Sequence, residues 1–123
     1  MNWSDKSILI AEDEDTNYLL LVEYLEPTGV QIARAINGYE VLEIFNKTSF
    51  DLILMDMKLP LMTGYEATMK IREVDQEVPI IAQTAYAMIG DRDKILAAGC
   101  NDYISKPIFE ETLISKIKIF IKD

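Results

Sequence analysis

Two short apolar runs that each stop on acid constrain this chain more than any other feature. Leu52-Ile53-Leu54-Met55 lies between Asp51 and Asp56, with Pro60 and Gly64 close behind, and Ser7-Ile8-Leu9-Ile10-Ala11 runs into Glu12, Asp13, Glu14 and Asp15. Apolar runs this short, bounded by turn formers, read as strands buried on both faces, the kind found inside parallel sheets. Asp56 then stands at the carboxyl end of a strand, the edge at which open α/β sheets bind ligands. An acid there is a candidate for chemistry; the simpler alternative is an Asp that caps the following loop.

The remaining segments alternate in the same manner. Acids at 14 and 15 suit the cap and first turn of a helix running from about Asp15 to Glu26, stopped by Pro27 with Gly29 in the turn. Its apolar positions Tyr18, Leu19, Leu20, Leu21, Val22, Tyr24 and Leu25 wrap wider than one sheet face can cover, so either the helix is unusually buried or one side of it meets another protein. Val30 to Ala35 alternates as an edge or half-covered strand does. Asn37-Gly38 leads into a second helix with Val41, Leu42 and Phe45 as its stripe. A third helix spans Gly64 to about Val74, and Pro79 precedes a strand, Ile80 to Thr84, that ends on a hydroxyl. A fourth helix runs from about Met88 to Ala98 and stops at Gly99. Asp102-Tyr103-Ile104-Ser105 is a fifth strand closing on Lys106-Pro107, and a last helix covers Glu110 to about Ile121 with Leu113, Ile117 and Phe120 at helical spacing. Five strands alternating with five helices imply an α/β fold, a doubly wound parallel sheet with right-handed crossovers. Glu12, Asp13, Asp56, Thr84 and Lys106 then reach one rim from four strands.

Composition narrows the chemistry. At 123 residues and 50% hydrophobic content the chain fits a single domain, 1–123, with one core. A net charge of -9, from 21 acids against 12 basic residues, argues against a nucleic-acid surface. There is no histidine, and the single cysteine, Cys100, forms no internal disulfide, which favours a cytoplasmic setting. The longest unbroken apolar stretch, Tyr18 to Val22, is far short of the roughly 20 residues a membrane span needs, and the first six residues lack a signal peptide's apolar region.

Three carboxylates brought within about 4 to 5 Å of one another repel strongly and need a cation. Oxygen ligands without histidine or thiolate suit Mg²⁺. With Lys106 as a fixed positive charge and Thr84 as a donor, the space left beside the metal fits a dianionic phosphoryl group. The nucleophile is then a carboxylate, and Asp56, central on a buried strand, is the best placed.

At these residues the chain resembles the receiver domain of two-component response regulators. The match runs through Ile8-Leu9-Ile10-Ala11-Glu12-Asp13, Leu54-Met55-Asp56-Met57 with Pro60 and Gly64, Ala82-Gln83-Thr84-Ala85, and Asp102-Tyr103-Ile104-Ser105-Lys106-Pro107. The resemblance implies a flavodoxin-like three-layer sandwich with strand order 2-1-3-4-5. It implies that Asp56 accepts a phosphoryl group from a partner's phosphohistidine. Asp13, Asp56 and the backbone carbonyl of Lys58 would hold Mg²⁺, with Glu12 helping through water. Thr84, Lys106 and the backbone N–H groups of Met57 and Ala85 would contact the phosphoryl oxygens. The family's switch moves the residue at Thr84 and turns the aromatic at Tyr103, altering the surface of helix four, strand five and helix five; the alternative for Tyr103 is an ordinary half-buried strand residue.

Met62-Thr63-Gly64-Tyr65-Glu66-Ala67 and Ala87-Met88-Ile89-Gly90-Asp91-Arg92 look like receivers attached to hybrid sensor kinases. That likeness implies a histidine kinase or histidine phosphotransfer protein docking on helix one and the rim, with no direct contact to nucleic acid or membrane, and accounts for Leu19 and Leu20. The chain departs from the family in having Glu12 where Asp is commoner and Gln83 where the strand is usually apolar, while Lys58 and Tyr86 occupy variable flanking positions. Two other classes share parts of this pattern. A haloacid dehalogenase-like phosphatase would use Asp13 of Asp13-Glu14-Asp15, but Asn17 departs from its motif and the chain is short for that fold. A flavin carrier would need hydroxyls and glycine after strand one, where this chain has acids. A receiver-like module that binds partners without phosphorylation is disfavoured by Asp56, Thr84 and Lys106 standing together.

Overall fold

The computed structural model describes residues 1–85 and 89–122, the side chain of Ile89 excepted. Tyr86, Ala87 and Met88, including the expected start of the fourth helix, lie outside the described residues. Five strands and five helices alternate: β1 Ser7–Ala11, α1 Asp15–Leu25, β2 Gln31–Ala35, α2 Gly38–Lys47, β3 Leu52–Asp56, α3 Gly64–Val74, β4 Ile80–Thr84, α4 Ile89–Ala98, β5 Asp102–Ser105 and α5 Glu110–Phe120. All pairings are parallel, in the order β2-β1-β3-β4-β5, as the sequence implies.

Local chemistry explains most boundaries. Asn37 Oδ1 accepts the Glu40 N–H at 2.9 Å and starts α2, and Thr63 with Glu66 forms a reciprocal capping box at the head of α3. Gly99, at φ 117°, ends α4. Three details differ from expectation. Helix α1 stops at Leu25, and Glu26–Thr28 continues as one 3₁₀ turn that accommodates Pro27 in its first turn. Val30 stays outside β2 because its N–H donates to Thr28 Oγ1 (3.2 Å) rather than to the ladder. Glu14 occupies the N-cap of α1, yet its carboxylate accepts from the Asn17 side chain (3.0 Å) and makes no bond to the helix backbone.

Side-chain parity sorts the core into two layers. Leu9, Ala11, Ala35, Ile53, Met55, Ile80 and Ala82 pack under α2, α3 and α4 with Val41, Ala67, Ile71, Ile95 and Cys100. Ile8, Ile10, Leu52, Leu54, Ile81 and Ile104 pack under α1 and α5 with Leu21, Leu25, Leu113 and Ile117. Trp3, fully buried, closes the second layer from the N-terminal side, its N–H donating to Thr28 O at 2.7 Å. Along helix α1, Leu21 and Leu25 are buried, Leu20 is half-buried, and Leu19 is 61% exposed. No helix among the described residues is long and apolar enough to cross a membrane.

Candidate functional site at the strand exits

Following the alternation to the carboxyl end of each strand places the site. Two residues beyond Ile10 comes Glu12, two beyond Leu54 comes Asp56, two beyond Ile81 comes Gln83 and two beyond Ile104 comes Lys106, all at the carboxyl rim of the layer beneath α1 and α5. Glu12 is wholly buried and Asp56 3% exposed. Lys106 Nζ donates to Asp56 Oδ2 at 2.8 Å and to Glu12 Oε1 at 3.3 Å. Asp13, on the loop leaving β1, is exposed. Carboxylate oxygens of Glu12, Asp13 and Asp56 all lie within 4.8 Å of one another. Thr84, buried at the end of β4, is tied to the Lys106 segment by the Lys106 N–H donating to its carbonyl at 2.7 Å. Asp13, Asp56, Lys58, Thr84, Ala85 and Lys106 line one cleft, and Glu12 lies beneath it.

The electrostatics follow from this burial. Desolvation, reinforced by the Asp56 charge, raises the Glu12 carboxyl to about 7, against the opposing pull of the Glu14 N–H and Lys106. Burial alone would lower the Lys106 ammonium, but its hydrogen bond to Asp56 and the charges of Asp56 and Glu12 outweigh that, and its net shift is upward. Lys106 is thus a fixed cation serving two acids. An all-oxygen set with one exposed member, Asp13, leaves room for water ligands and fits a hard divalent ion such as Mg²⁺, which keeps several waters.

One expected donor is used elsewhere. The Met57 N–H donates to Gln83 O at 3.1 Å, extending the β3–β4 ladder by one residue, so it does not face the cleft. The N–H turned toward the acid is that of Lys58, 2.9 Å from Asp56 Oδ1. Tyr103 is half-buried and packs against the α2–α4 layer, with Lys116 Nζ 5.6 Å from its ring centre.

Two roles, those of Gly64 and Arg34, are not visible in the sequence pattern, and Gln83, a departure visible there, shows its surroundings only in the fold. Gly64 sits where a Cβ would collide with the Asp56 carbonyl oxygen and lie 2.8 Å from Met57 Cα, so α3 can approach the site only through a glycine. Arg34 reaches from β2 to the loop carrying Glu12 and Asp13, its Nε donating to Glu12 O at 3.0 Å; parity with Ile32 was the available signal. Gln83 is wholly buried, with neither amide atom bonded to a described residue, beside a cavity of about 50 Å³ bounded by Leu20, Leu21, Lys106 and Pro107 among others.

Comparison with known proteins agrees with this geometry. Residues 8–118 match the model of the response regulator receiver domain. The polar-differentiation response regulator DivK of Brucella anthropi is 40% identical over 96% of this chain and 98% of its own. The receiver domain of the sensor histidine kinase PA1611 from Pseudomonas aeruginosa, solved with a magnesium ion in its active-site cleft, superimposes with a TM-score of 0.88 at 35% identity, covering 96% of this chain and 98% of that one. The receiver domain of Saccharomyces cerevisiae Ssk1, solved in complex with the histidine phosphotransfer protein Ypd1, gives a TM-score of 0.88 at 32% identity over 94% and 88%. The chain belongs to the response regulator receiver domain family of two-component signalling.

Proposed function

We propose that residues 1–123 act as one phosphoacceptor unit in which Asp56 takes a phosphoryl group from a phosphohistidine. The observation that carries this is the Lys106 ammonium held between Asp56 (2.8 Å) and Glu12 (3.3 Å) at the rim of the sheet. An Asp56 oxygen attacks phosphorus, the P–N bond of the donor breaks, and the imidazole leaves with the electron pair and takes up a proton. Lys106 stabilises the charge gathering on the phosphoryl oxygens, and Thr84 Oγ1 with the N–H groups of Lys58 and Ala85 are the donors we assign to those oxygens. Asp13, Asp56 and the Lys58 carbonyl are the proposed Mg²⁺ ligands, with Glu12 acting through water. Bound there, the ion supplies Lewis-acid neutralisation of the acids and the incoming phosphoryl group.

Modification is proposed to shift Thr84 toward the new group and Tyr103 inward, altering the surface formed by α4, β5 and α5. A histidine kinase or histidine phosphotransfer protein is the proposed donor, docking on α1 and the rim, where Leu19 is 61% exposed. The Ypd1 complex of a similar domain supports a partner of this class, and the PA1611 likeness supports a hybrid-kinase receiver as one setting. The cytoplasm is the proposed compartment, where the free Cys100 thiol stays reduced. A dehalogenase-like phosphatase acting through Asp13 is disfavoured because the rim's ammonium lies on Asp56 instead. Incubation with acetyl phosphate and Mg²⁺, followed by intact mass, is expected to add one phosphoryl group to the parent chain and none to Asp56→Asn. Labelling of Asp56→Asn at the parental rate would overturn the assignment.

A further inference from the structure

Among the described residues, the side chain of Arg34 on the edge strand β2 makes three polar or ring contacts, all to one short stretch of chain. Its Nε donates to the Glu12 carbonyl at 3.0 Å. Its Nη2 lies 2.9 Å from Asp15 Oδ1 as an ion pair, at an angle too oblique to count as a hydrogen bond. Its guanidinium carbon stands 4.3 Å from the centre of the Tyr18 ring. Residues 12 to 18 are the acidic loop leaving β1 and the first turn of α1, so one planar group spans the whole turn that presents Glu12 and Asp13. A second strap comes from the same strand, where Ala35 O accepts the Glu12 N–H at 3.0 Å.

The ion pair by itself contributes little, because the Asp15 side chain is 84% exposed. What distinguishes arginine here is shape. It can donate from Nε, meet a carboxylate at the fork and stack on an aromatic face simultaneously, which an ammonium on a flexible stem does not reproduce. We propose that Arg34 is a positioning residue for the divalent-cation site, holding the Glu12–Asp13 turn at the distance from Asp56 at which Asp13 and Asp56 can bind one ion directly and Glu12 can reach it through water. This rests on the reading of Glu12, Asp13 and Asp56 as the Mg²⁺ site.

Positioning and plain charge make opposite demands. A guanidinium near the acids repels a divalent cation, so a purely electrostatic Arg34 would weaken Mg²⁺ binding and its removal would tighten it. A positioning Arg34 strengthens binding, and even a charge-preserving Arg34→Lys should lose the benefit. The test uses the full chain and the variants Arg34→Lys and Arg34→Met, with Mg²⁺ affinity measured by titration calorimetry and amide hydrogen exchange measured in EDTA. Both variants are expected to bind Mg²⁺ at least fivefold more weakly than the parent. In EDTA the amides of Glu12, Glu14 and Tyr18 should exchange at least tenfold faster, while those of Leu54 and Ile81 in the sheet centre keep their rates, which shows that the fold is retained.

Tighter binding by Arg34→Met together with unchanged binding by Arg34→Lys would overturn the proposal in favour of charge alone. Unchanged exchange at residues 12, 14 and 18 would overturn it as well. If the parent binds no Mg²⁺ but exchange quickens in both variants, the strap stands as a loop-positioning device and the magnesium reading falls.

Discussion

The two faces of the sheet are built by one alternation and end differently. On the side of α2, α3 and α4 the inward residues stay apolar nearly to the rim, through Ala11, Met55 and Ala82, and Thr84 appears only at the last position of β4. On the side of α1 and α5 the same period runs from Ile8, Ile10, Leu52, Leu54 and Ile81 into Glu12, Asp56, Gln83 and Lys106. Glu12, Asp56 and Gln83 therefore extend the core, with side-chain type changing while depth does not, and Lys106, its side chain 20% exposed, reaches the two acids from the rim. Charges held at core depth depend on one another far more than surface charges do. The first layer should behave as packed hydrocarbon and the second as a network.

The largest effect expected from that contrast is at Lys106. Lys106→Met keeps much of the side chain's length and removes the cation that serves Asp56 and Glu12. Leaving two buried acids without their partner should cost about 3 kcal/mol of stability at neutral pH in EDTA, read by urea unfolding. Adding Glu12→Gln should recover a substantial part, because the second acid then carries no charge. If the single variant matches the parent, or the double variant is no more stable than the single, the acids are not coupled through Lys106 and the network description of this layer fails.

The apolar layer supplies the opposite test at Cys100. Burial pushes its thiol up to about 11, against the weaker pull of the Thr68 hydroxyl and Arg72. In the unfolded chain the thiol ionises near its usual value of about 8.5. A group whose pKa is raised by folding contributes stability that is complete below the unfolded value and is lost as pH climbs through the folded one. The parent should therefore lose roughly 3 kcal/mol more than Cys100→Ala as pH rises from about 8 to about 11, at about 1.36 kcal/mol per unit. Identical slopes for the two chains would mean that the layer admits water to the thiol.

Much of this was legible in the chain itself. Runs such as Leu52 to Met55 have few other places to go than the centre of a parallel sheet, and the helix signals at Asn37 and Gly99 act through bonds to the nearest few residues. Convergence of Glu12, Asp13, Asp56 and Lys106 followed because strands in a parallel sheet share an exit edge, and the distances among them bear that part out. What was hidden depends on neighbours far along the chain. Whether Met57 or Lys58 turns its N–H to Asp56 is decided by the β3–β4 register, which keeps Met57 on Gln83. Trp3 stands alone before β1, with no periodicity to mark it as core. Arg34 sits in a strand whose alternation reads equally well as an exposed edge. Gly64 looks like an ordinary helix start until the Asp56 carbonyl is found where its Cβ would be.

Gln83 gives the smallest effect and the sharpest view of the boundary between the two regimes. It is the one residue in that inward series, Glu12, Asp56, Gln83 and Lys106, whose side-chain polar atoms are bonded to no described residue. Its neighbour across the ladder, Asp56, has the Lys106 ammonium and the Lys58 N–H; Gln83 has a cavity of about 50 Å³ with Leu20, Leu21 and Ile108 on its walls. A buried amide without a partner is costly, whereas an apolar side chain of similar volume meets those walls without loss. Gln83→Leu should accordingly raise stability by about 1 kcal/mol, seen as a shift of the urea midpoint with unchanged slope. A loss of stability on that substitution would mean that the amide belongs to the network after all, bonded through water held in the cavity, and the polar layer would then extend one strand further than its direct hydrogen bonds indicate.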